Sequence, residues 1–537
     1  MSFFPGEKLR YAETHFKFKL PWSFLYKPWP EIIFDMPFQI VPGITPTIWI
    51  VVRDADKFPS TLENVQLKIC GGNQERIEKI SLNKKTDTAF DFVPIPVPGL
   101  TSGHYKIYPE ISVSRNGERK TFLRWNLPGL KPAPLCVQIL SENPPKAPGF
   151  AAGEMHCHTY YSKDHVEYGA SPKILQEAAK AVGLDFVSLT DHAYDFAFTD
   201  EDYTKEAASP LPRFNSLKKE LEALPKSPLM LAGEEVSAGN SKGENVHVVV
   251  MDADNYLPGL GDCGRYWLDN KPTRKVSQIL DSTQSHCFAA HPFQQMGLLE
   301  KFIFRRGYWT HDDLNLEKKE ENKKHSIRGI QFWNGIRDEG FMLGREFWIN
   351  ELGKGNFLLP IAGNDAHGDL NDTTAVSLPL VSLKRSTAHV FGKVQTVVKI
   401  LEKEAGDSCE KNPSTNKIKN LTPEILKDAF NKDCLYITNG PALWWERIQT
   451  KDSSKAICFH AQNTDDYGRG FRYVRIYGRR NLGNGKFALK EEICIESLIA
   501  APGQNEIIVR TDNFAYLRAE CETADGHFAL TSAAQII

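Results

Sequence analysis

Histidines and carboxylates stand at or near the ends of a series of short apolar runs, and ten of the fifteen histidines lie between positions 151 and 367. Imidazole and carboxylate groups are the ligands that divalent zinc, manganese and iron prefer in proteins. If the runs are parallel strands of a barrel, their carboxyl ends face one common cavity. The pattern therefore predicts a metal site. The seven runs cover residues 154–158, 185–192, 229–235, 246–251, 287–291, 327–334 and 358–367.

Two of the runs carry paired candidate ligands. His156 and His158 are separated by one residue, as are Asp365 and His367. Side chains alternate between the two faces of a strand, so both members of a pair project from the same face. Two adjacent polar side chains are costly to bury unless something coordinates them. Cys157 would point to the opposite face, and we interpret it as a core thiol.

The surrounding elements divide the chain into three predicted domains. Up to about residue 140, runs rich in β-branched and aromatic residues are separated by turns, which is typical of an antiparallel sandwich. From residue 150, strands alternate with helices, which indicates a largely parallel sheet or barrel. We therefore expect a multidomain α/β plus all-β protein. Its parts are an N-terminal β-sandwich (1–147), a distorted seven-stranded (β/α) metal barrel (148–440) and a C-terminal β-sandwich (441–537).

Local signals place several elements inside the middle part. Ser171-Pro172 predicts the start of a helix that Gly183 ends. Residues 394–404 are predicted as another helix. The runs that contain Glu235 and His247 follow each other without a helical pattern between them, so we expect a hairpin there.

Bulk properties limit the partners. The net charge of −2 gives no electrostatic reason to expect nucleic acid as a partner. No apolar stretch is long enough to span a bilayer, and the N-terminal segment has no secretory pattern. The ten cysteines form no C-x-x-C pair, which is typical of reduced thiols in a cytoplasmic protein. We therefore expect a cytoplasmic protein that acts on a small-molecule substrate.

Several motifs, taken in order, resemble those of the PHP (polymerase and histidinol phosphatase) superfamily. Members of that family hold two or three metal ions in a distorted barrel and mostly hydrolyse phosphoesters. The resemblance covers roughly residues 150–440, and five motifs in the family's order are far more specific than any one of them. The motifs are Gly153–Ser162, Thr190-Asp191-His192, Gly233-Glu234-Glu235, His291-Pro292 and Asn364–His367.

The resemblance implies a set of metal ligands for two or three divalent ions of zinc, manganese or iron. The family has a Ser-Asp-Gly after the first pair of histidines, whereas this chain has Ser162-Lys163-Asp164-His165. We choose Asp164 as the ligand at this point, with His165 as the alternative. Glu235, rather than its neighbour Glu234, fits the family's G-x-E spacing. The implied ligands are His156, His158, Asp164, His192, Glu235, His247, His291, Asp365 and His367.

The whole chain also resembles the carbamate- and ester-hydrolase-like branch of that superfamily. The branch shares a Tyr-x-Thr-Asn-Gly-Pro segment, here Tyr436–Pro441, and an Arg-Ala-Glu run in an all-β tail, here Arg518–Glu520. This resemblance implies that carbamates or carboxylic esters are alternative substrates.

The expected chemistry is hydrolysis by a metal-bridging hydroxide, with no catalytic side chain beyond it. A phosphoester is the favoured substrate. Asp191 precedes a ligand and is expected to support the site rather than to bind metal. Asn334 and Arg337, beyond the sixth run, are candidate substrate contacts, although an ordinary Asn-Gly turn is the alternative.

Two other classes of function compete with this interpretation. The chain could be a non-catalytic metal-binding interaction protein, but a degenerate barrel should have lost ligands, and every family position has a candidate here. An amidohydrolase barrel also begins with H-x-H. That class has a lysine in the middle of the barrel, where this chain has Glu235.

Overall fold

The computed structural model describes residues 8–10, 29–72, 74–126, 131–162, 169–197, 209–262, 270–297, 301–314, 326–377, 382–400, 421–480, 492–498 and 505–536. Strands dominate these residues. None of the helices within these ranges has the length and apolar character needed to span a bilayer.

The N-terminal part is built from two sheets that share an apolar core. A three-stranded sheet has the order β2-β4-β7, and a six-stranded sheet has the order β3-β10-β8-β5-β6 with β9 on β8. In β5, Leu62, Val65, Leu67 and Ile69 are buried in this core, while most of the residues between them are partly or fully exposed. The strands are β1 (Lys8–Arg10), β2 (Glu31–Asp35), β3 (Gln39–Ile40), β4 (Thr47–Arg53), β5 (Ser60–Gly71), β6 (Gln74–Thr86), β7 (Phe90–Pro96), β8 (Gly103–Arg115), β9 (Glu118–Leu123) and β10 (Leu135–Ile139).

The middle part contains the α-helices of the described residues. Helix α1 begins as predicted, since the Ser171 side chain accepts a hydrogen bond from the Ile174 N–H, and it ends at Gly183 with φ 85°. The helices are α1 (Pro172–Val182), α2 (Ala193–Phe196), α3 (Leu211–Glu222), α4 (Val276–Asp281), α5 (Glu339–Gly353) and α6 (Pro423–Asn431). The strands are β11 (Phe150–Cys157), β12 (Phe186–Leu189), β13 (Leu229–Ala232), β14 (Glu234–Gly239), β15 (Asn245–Met251), β16 (His286–Ala290), β17 (Gly329–Asn334), β18 (Leu359–Gly363), β19 (Thr373–Ser377), β20 (Ser382–Ser386), β21 (Gln395–Lys399) and β22 (Leu435–Thr438).

The C-terminal part contains eight further strands. Five of them continue a sheet that begins in the middle part, and the other three form a separate small sheet with the order β23-β24-β27. The strands are β23 (Ala442–Gln449), β24 (Lys455–Gln462), β25 (Phe471–Arg480), β26 (Ile493–Leu498), β27 (Asn505–Arg510), β28 (Phe514–Thr523), β29 (Phe528–Thr531) and β30 (Ala534–Gln535).

The expected distorted seven-stranded (β/α) barrel, flanked by two β-sandwich domains, is wrong as a description of the fold. Apart from β19 and β20, which form a three-stranded sheet with β1, the middle strands lie in two mixed sheets. The ten-stranded sheet has the order β13-β12-β11-β21-β22-β29-β28-β25-β26 with β30 on β28, and the five-stranded sheet has the order β14-β15-β16-β17-β18. Only the pairs within β11-β12-β13 and β16-β17-β18 are parallel. The remaining pairs of these two sheets are antiparallel. The expected domain limits at residues 147 and 440 stay predictions.

Two local predictions in this region have opposite outcomes. The hairpin between the Glu235 and His247 runs is confirmed, since β14 and β15 pair antiparallel. The helix expected from residue 394 is wrong in its described part, where β21 pairs antiparallel with both β11 and β22. The β-branched residues Thr396, Val397 and Val398 fill a fully covered position in the sheet, and this packing overrides the helical spacing.

Single backbone bridges connect the ten-stranded and five-stranded sheets. His192, after β12, bridges Glu235 of β14, and Cys157 of β11 bridges Ala366, which follows β18. The ends of β11, β12, β14 and β18 therefore lie close together between the two sheets. The candidate site lies at this junction.

A buried acid in β2 leads to a prediction about stability. Burial raises the pKa of Glu31 to about 7, despite the nearby Arg53, and neither carboxyl oxygen makes a hydrogen bond within the described residues. The folded protein therefore favours the neutral acid, and stability decreases as pH rises from the ordinary carboxyl range through about 7. Glu31→Gln should stabilise the protein near pH 8 by on the order of 3 kcal/mol, because one pKa unit corresponds to about 1.36 kcal/mol. It should have little effect near pH 4.

Thermal denaturation midpoints of wild type and Glu31→Gln across this pH range test the prediction. The exposed Glu118, in β9, offers a control, and Glu118→Gln should leave the pH profile unchanged. A Glu31→Gln profile parallel to that of the wild type would contradict it.

Candidate metal centre

The Glu235 carboxylate lies at the centre of the candidate site. Its Oε1 is 2.6 Å from His247 Nδ1 and 3.0 Å from His291 Nε2, and its Oε2 is 3.0 Å from His192 Nδ1. Gly233 allows a close approach of the backbone just before β14, since a Cβ there would lie 2.4 Å from the Val250 carbonyl oxygen. Burial alone would raise the pKa of Glu235, but His247 and His156 hold it well below the usual range.

His156 and His158 project into the same space from the end of β11. Their Nε2 atoms are 3.3 Å apart, and Asp365 Oδ1 lies 3.7 Å from the first and 3.3 Å from the second. Backbone hydrogen bonds hold the two chain segments together. The Asp365 N–H donates to the His156 carbonyl at 2.6 Å, and the His158 N–H donates to the Ala366 carbonyl at 2.8 Å.

The predicted ligands fall into three overlapping groups. Within each group the potential ligand atoms lie within 4.8 Å of one another. His158 belongs to two of the groups, and so does Glu235, an arrangement that suits two or three neighbouring cations. The groups are His158, His192 and His367; His156, His158, Glu235 and Asp365; and Glu235, His247 and His291.

Hydrogen bonds on the far side of His158 orient its ring. Ser162 Oγ donates to Asp191 Oδ1 at 2.8 Å, so it accepts the bond from His158 Nδ1 at 3.1 Å. Burial, with His367 and His192 nearby, holds the pKa of His158 well below its usual range. The ring is therefore neutral with its proton on Nδ1, and the Nε2 lone pair faces the carboxylates of Glu235 and Asp365.

His156 is oriented in the same way by Gln331 of β17. Gln331 Oε1 can only accept, so His156 Nδ1 donates to it at 2.8 Å. Its Nε2 points toward Glu235 Oε1 at 3.4 Å. Burial opposes the charged form, but Glu235 and Asp365 raise the pKa of His156 above its usual value. In the metal-free protein a proton thus supplies part of the positive charge that these carboxylates attract, and metal binding would displace it.

These contacts show that the donor set fits divalent cations. Ring nitrogens and carboxylate oxygens converge on shared points, and Glu235 Oε2 is buried without a hydrogen bond to any described residue. Electron-rich atoms in this arrangement repel one another unless positive charge lies between them. The residues present therefore match the mixed imidazole and carboxylate sites of zinc, manganese and iron.

Asp262 is a functional residue that the sequence pattern did not reveal. Its Oδ2 lies 3.0 Å from His247 Nε2 and also accepts a bond from Arg306 Nε. Burial opposes the charged imidazole, yet Glu235 and Asp262 raise the pKa of His247 to about 9. Asp262 follows a glycine in a loop rather than an apolar run, so strand-end position could not identify it.

Glu154 is a second residue that the motifs did not single out. It is fully buried, and its Oε1 accepts bonds from the backbone N–H groups of His156 at 3.1 Å and Asn364 at 2.9 Å. Its Oε2 accepts from the Asn364 side chain and from the Gly392 N–H. Glu154 therefore fixes the first histidine pair relative to the Asp365 segment.

Backbone strain occurs at two candidate ligands. His291 has φ 27° and Asp365 has φ 51°, a region that residues other than glycine rarely adopt. Such conformations cost on the order of 1–3 kcal/mol and cluster at functional sites.

Other predicted positions lie beside the site or outside the described residues. Asp164 and its alternative His165 fall in the range 163–168, which the structure does not describe. Cys157 Sγ contacts the Ser188 carbonyl at 3.7 Å and belongs to none of the three ligand groups. The Glu234 carboxylate accepts from the Leu257 N–H rather than facing the histidines.

The two predicted substrate contacts differ in position. Asn334 Nδ2 donates to Asp365 Oδ2 at 3.1 Å, so this side chain adjoins the site. Arg337 instead donates to Glu522 Oε2 and to the Gly526 carbonyl, both at 2.9 Å, and lies over the Phe528 ring. These contacts connect Arg337 to the C-terminal strands and favour a structural role, and its contact with substrate stays a prediction.

A small pocket opens beside His247 and His291. Arg306 and Trp309 line it, together with Gln294 and Met296. The buried Trp309 Nε1 donates no hydrogen bond to the described residues. The pocket therefore offers an indole N–H to a molecule bound next to the histidines.

Comparisons with known proteins give little further guidance. No protein-family model matches this sequence, and no curated protein does. A glycosyl hydrolase family 2 member from Bacteroides cellulosilyticus is 10% identical over 93% of this chain and 78% of its own, with a TM-score of 0.17. The β-glucuronidase of Parabacteroides merdae is 8% identical over 94% and 78%, with a TM-score of 0.21. Such scores assign neither fold nor activity.

The overlapping ligand groups predict that each chain binds at least two divalent ions. Elemental analysis of purified, reconstituted protein should show them. Glu235→Gln should lose at least one ion, because this carboxylate belongs to two groups. Glu234→Gln is the matched control, since burial raises the pKa of Glu234 well above its usual range and the amide replaces a neutral acid. Less than one tightly bound ion per wild-type chain would contradict the prediction.

The Asp191–Ser162–His158 chain of hydrogen bonds leads to a second prediction. Ser162→Ala removes the acceptor that keeps the His158 proton on Nδ1, and it should weaken metal affinity by roughly 10- to 100-fold. Competition with a chelator measures this change. Ser188→Ala, at a buried serine whose Oγ has no hydrogen bond, is the control. Equal affinities for the two variants would mean that the Asp191–Ser162–His158 chain of hydrogen bonds does not orient His158.

Proposed function

We propose that this protein is a metal-dependent hydrolase, with a phosphoester as the favoured substrate. The observation that supports this proposal is the sharing of His158 and Glu235 between neighbouring ligand groups. Shared ligands place cations close together, which is the arrangement used by many phosphatases and nucleases.

Each residue has a definite task in this proposal. The eight described histidines and carboxylates of the three groups hold the ions. Four further residues orient these ligands, namely Asp262, Gln331, Ser162 and Glu154. Two or three bound divalent ions would supply an activated water and a Lewis acid for hydrolysis. Hydrolysis by such a water needs no serine or cysteine nucleophile.

The pocket beside the ions provides a place for the substrate. His247, His291 and Trp309 line it, and the Trp309 N–H donates to no other described residue. Asn334 lies next to Asp365 and can position a polar group of the substrate near the ions. Burial of this region excludes bulk water, which strengthens each electrostatic contact.

A carbamate or carboxylic ester is the second candidate substrate. Arg306 lines the pocket, but Asp262 accepts a hydrogen bond from it and balances its charge. A pocket whose arginine is neutralised in this way also suits an uncharged ester. For a phosphoester, the bound ions would have to supply the attraction for its negative charge, because the Arg306 charge is already balanced. An uncharged ester needs no such attraction.

A panel of chromogenic phosphate monoesters, phosphate diesters, carboxylic esters and carbamates tests the proposal on metal-loaded protein. We expect metal-dependent cleavage of a phosphoester. Cleavage of carbamates or esters alone would replace the favoured substrate by the second candidate. If loaded protein cleaves no member, the metal-binding interaction protein becomes the better interpretation.

Two variants connect any cleavage to this site. Asp365→Asn should lower kcat by at least on the order of 100-fold, since it removes a charge that faces the proposed ions. Cys157→Ala, at the neighbouring position on the other face of β11, should retain activity. Full activity of Asp365→Asn at unchanged metal content would contradict the assignment.

A further inference from the structure

A second group of metal-ligating side chains lies in the C-terminal part, on one face of the β23-β24-β27 sheet. Cys458 and His460 are two residues apart in β24 and therefore share a face. The register places Glu506 of β27 directly opposite His460, and Glu446 of β23 directly opposite Cys458. These four side chains thus come from three adjacent strands.

The side chains are close enough to share one ion. Ligand atoms of Cys458, His460 and Glu506 all lie within 4.8 Å of one another. His460 Nδ1 is 3.3 Å from Glu506 Oε1, and His460 Nε2 is 4.0 Å from Glu446 Oε2. The thiol is buried, whereas the Glu506 side chain is 58% exposed, so the cluster opens to solvent on one side.

His460 is the least satisfied member of the cluster. Both of its ring nitrogens are buried, and neither makes a hydrogen bond to another described residue. The ring is held in place by stacking on Trp444, with centroids 4.9 Å apart and planes 12° from parallel. A buried imidazole without a hydrogen bond is costly, and a bound cation would reduce that cost by coordinating one of the two nitrogens.

We propose that Cys458, His460 and Glu506 bind a single divalent ion of the zinc type, with solvent completing its coordination on the exposed side. Thiolate, imidazole and carboxylate together are a donor set that zinc accepts, whereas magnesium and calcium prefer oxygen ligands alone. On binding, the Cys458 thiol releases its proton to solvent and the sulfur coordinates the ion.

The electrostatics of the cluster agree with a cation site. Burial, followed by Glu506 and Glu446, raises the pKa of the Cys458 thiol to about 11. The same two carboxylates, which disfavour a further negative charge on the sulfur, would attract a positive ion to the cluster.

The site would act as a cross-link between strands. Within the described residues, β27 is an edge of its sheet, with Ile508 57% exposed next to the cluster. An ion held by Glu506 and the β24 residues would fasten this edge strand. This role does not depend on the proposed hydrolase function, because none of these residues belongs to the central ligand groups.

Cobalt substitution separates the two sites in the full-length protein. Co²⁺ bound to a thiolate has a sulfur-to-metal charge-transfer band in the near ultraviolet, and the three central groups contain no cysteine. We expect wild-type protein titrated with Co²⁺ to show this band, with an amplitude of one thiolate ligand per chain. Cys458→Ser should abolish it, while Cys136→Ser, at an exposed cysteine outside the cluster, should keep it.

A second variant keeps the test decisive if Cys458→Ser fails to fold. Glu506→Gln changes an exposed side chain and should weaken the Co²⁺ affinity read from this band at least tenfold, because a lost ligand costs more than a lost outer-shell contact. Absence of the band in wild type at saturating Co²⁺, or its persistence in folded Cys458→Ser, would overturn the proposal. So would an unchanged affinity in Glu506→Gln.

Discussion

A single buried carboxylate organises the middle of this molecule. Both oxygens of Glu235 face imidazole nitrogens, and those imidazoles come from strands of both large sheets. A buried carboxylate is tolerated only when positive charge or hydrogen bonds compensate it. The two sheets must therefore approach each other at this point, because only their combined side chains satisfy the charge. The backbone bridge between Glu235 and His192 lies at this point, where the two sheets meet.

Around this centre, buried polar side chains that would not bind an ion restrict the orientations of the side chains that would bind one. Asp191 accepts bonds from the backbone of Thr159 and from Ser162, and Glu154 connects β11 to the segment after β18. Each of these acids is fully buried, and burial raises the pKa of both. Their cost in stability is offset by hydrogen bonds that leave the rings few alternative orientations. The strained φ angles of His291 and Asp365 persist within the same network.

Features that depend on a single strand could be predicted from the sequence, whereas the pairing of distant strands could not. Alternation along β11 correctly placed His156 and His158 together and Cys157 apart, because period two is a property of one strand. Strand pairing is not local, since β11 takes β21 as a neighbour from far along the chain, and the barrel expectation failed for that reason. Gln331 is distinguished in the sequence as a polar residue inside β17, between Ile330 and Phe332. Asp262 gave none of this kind.

The ten-stranded sheet has a consequence for how this chain can be divided. Strand β22 pairs on one side with β21 and on the other with β29, so the backbone ladder passes from the middle part directly into the C-terminal strands. A fragment that stops after β22 would leave that strand with an unpaired, apolar edge, which is a template for aggregation. Evolution could add or remove the last strands only together with a new cover for this edge. The C-terminal strands thus cover an edge of the sheet that also carries β11 and β12. The middle part could not be recombined as a separate module without a replacement for them.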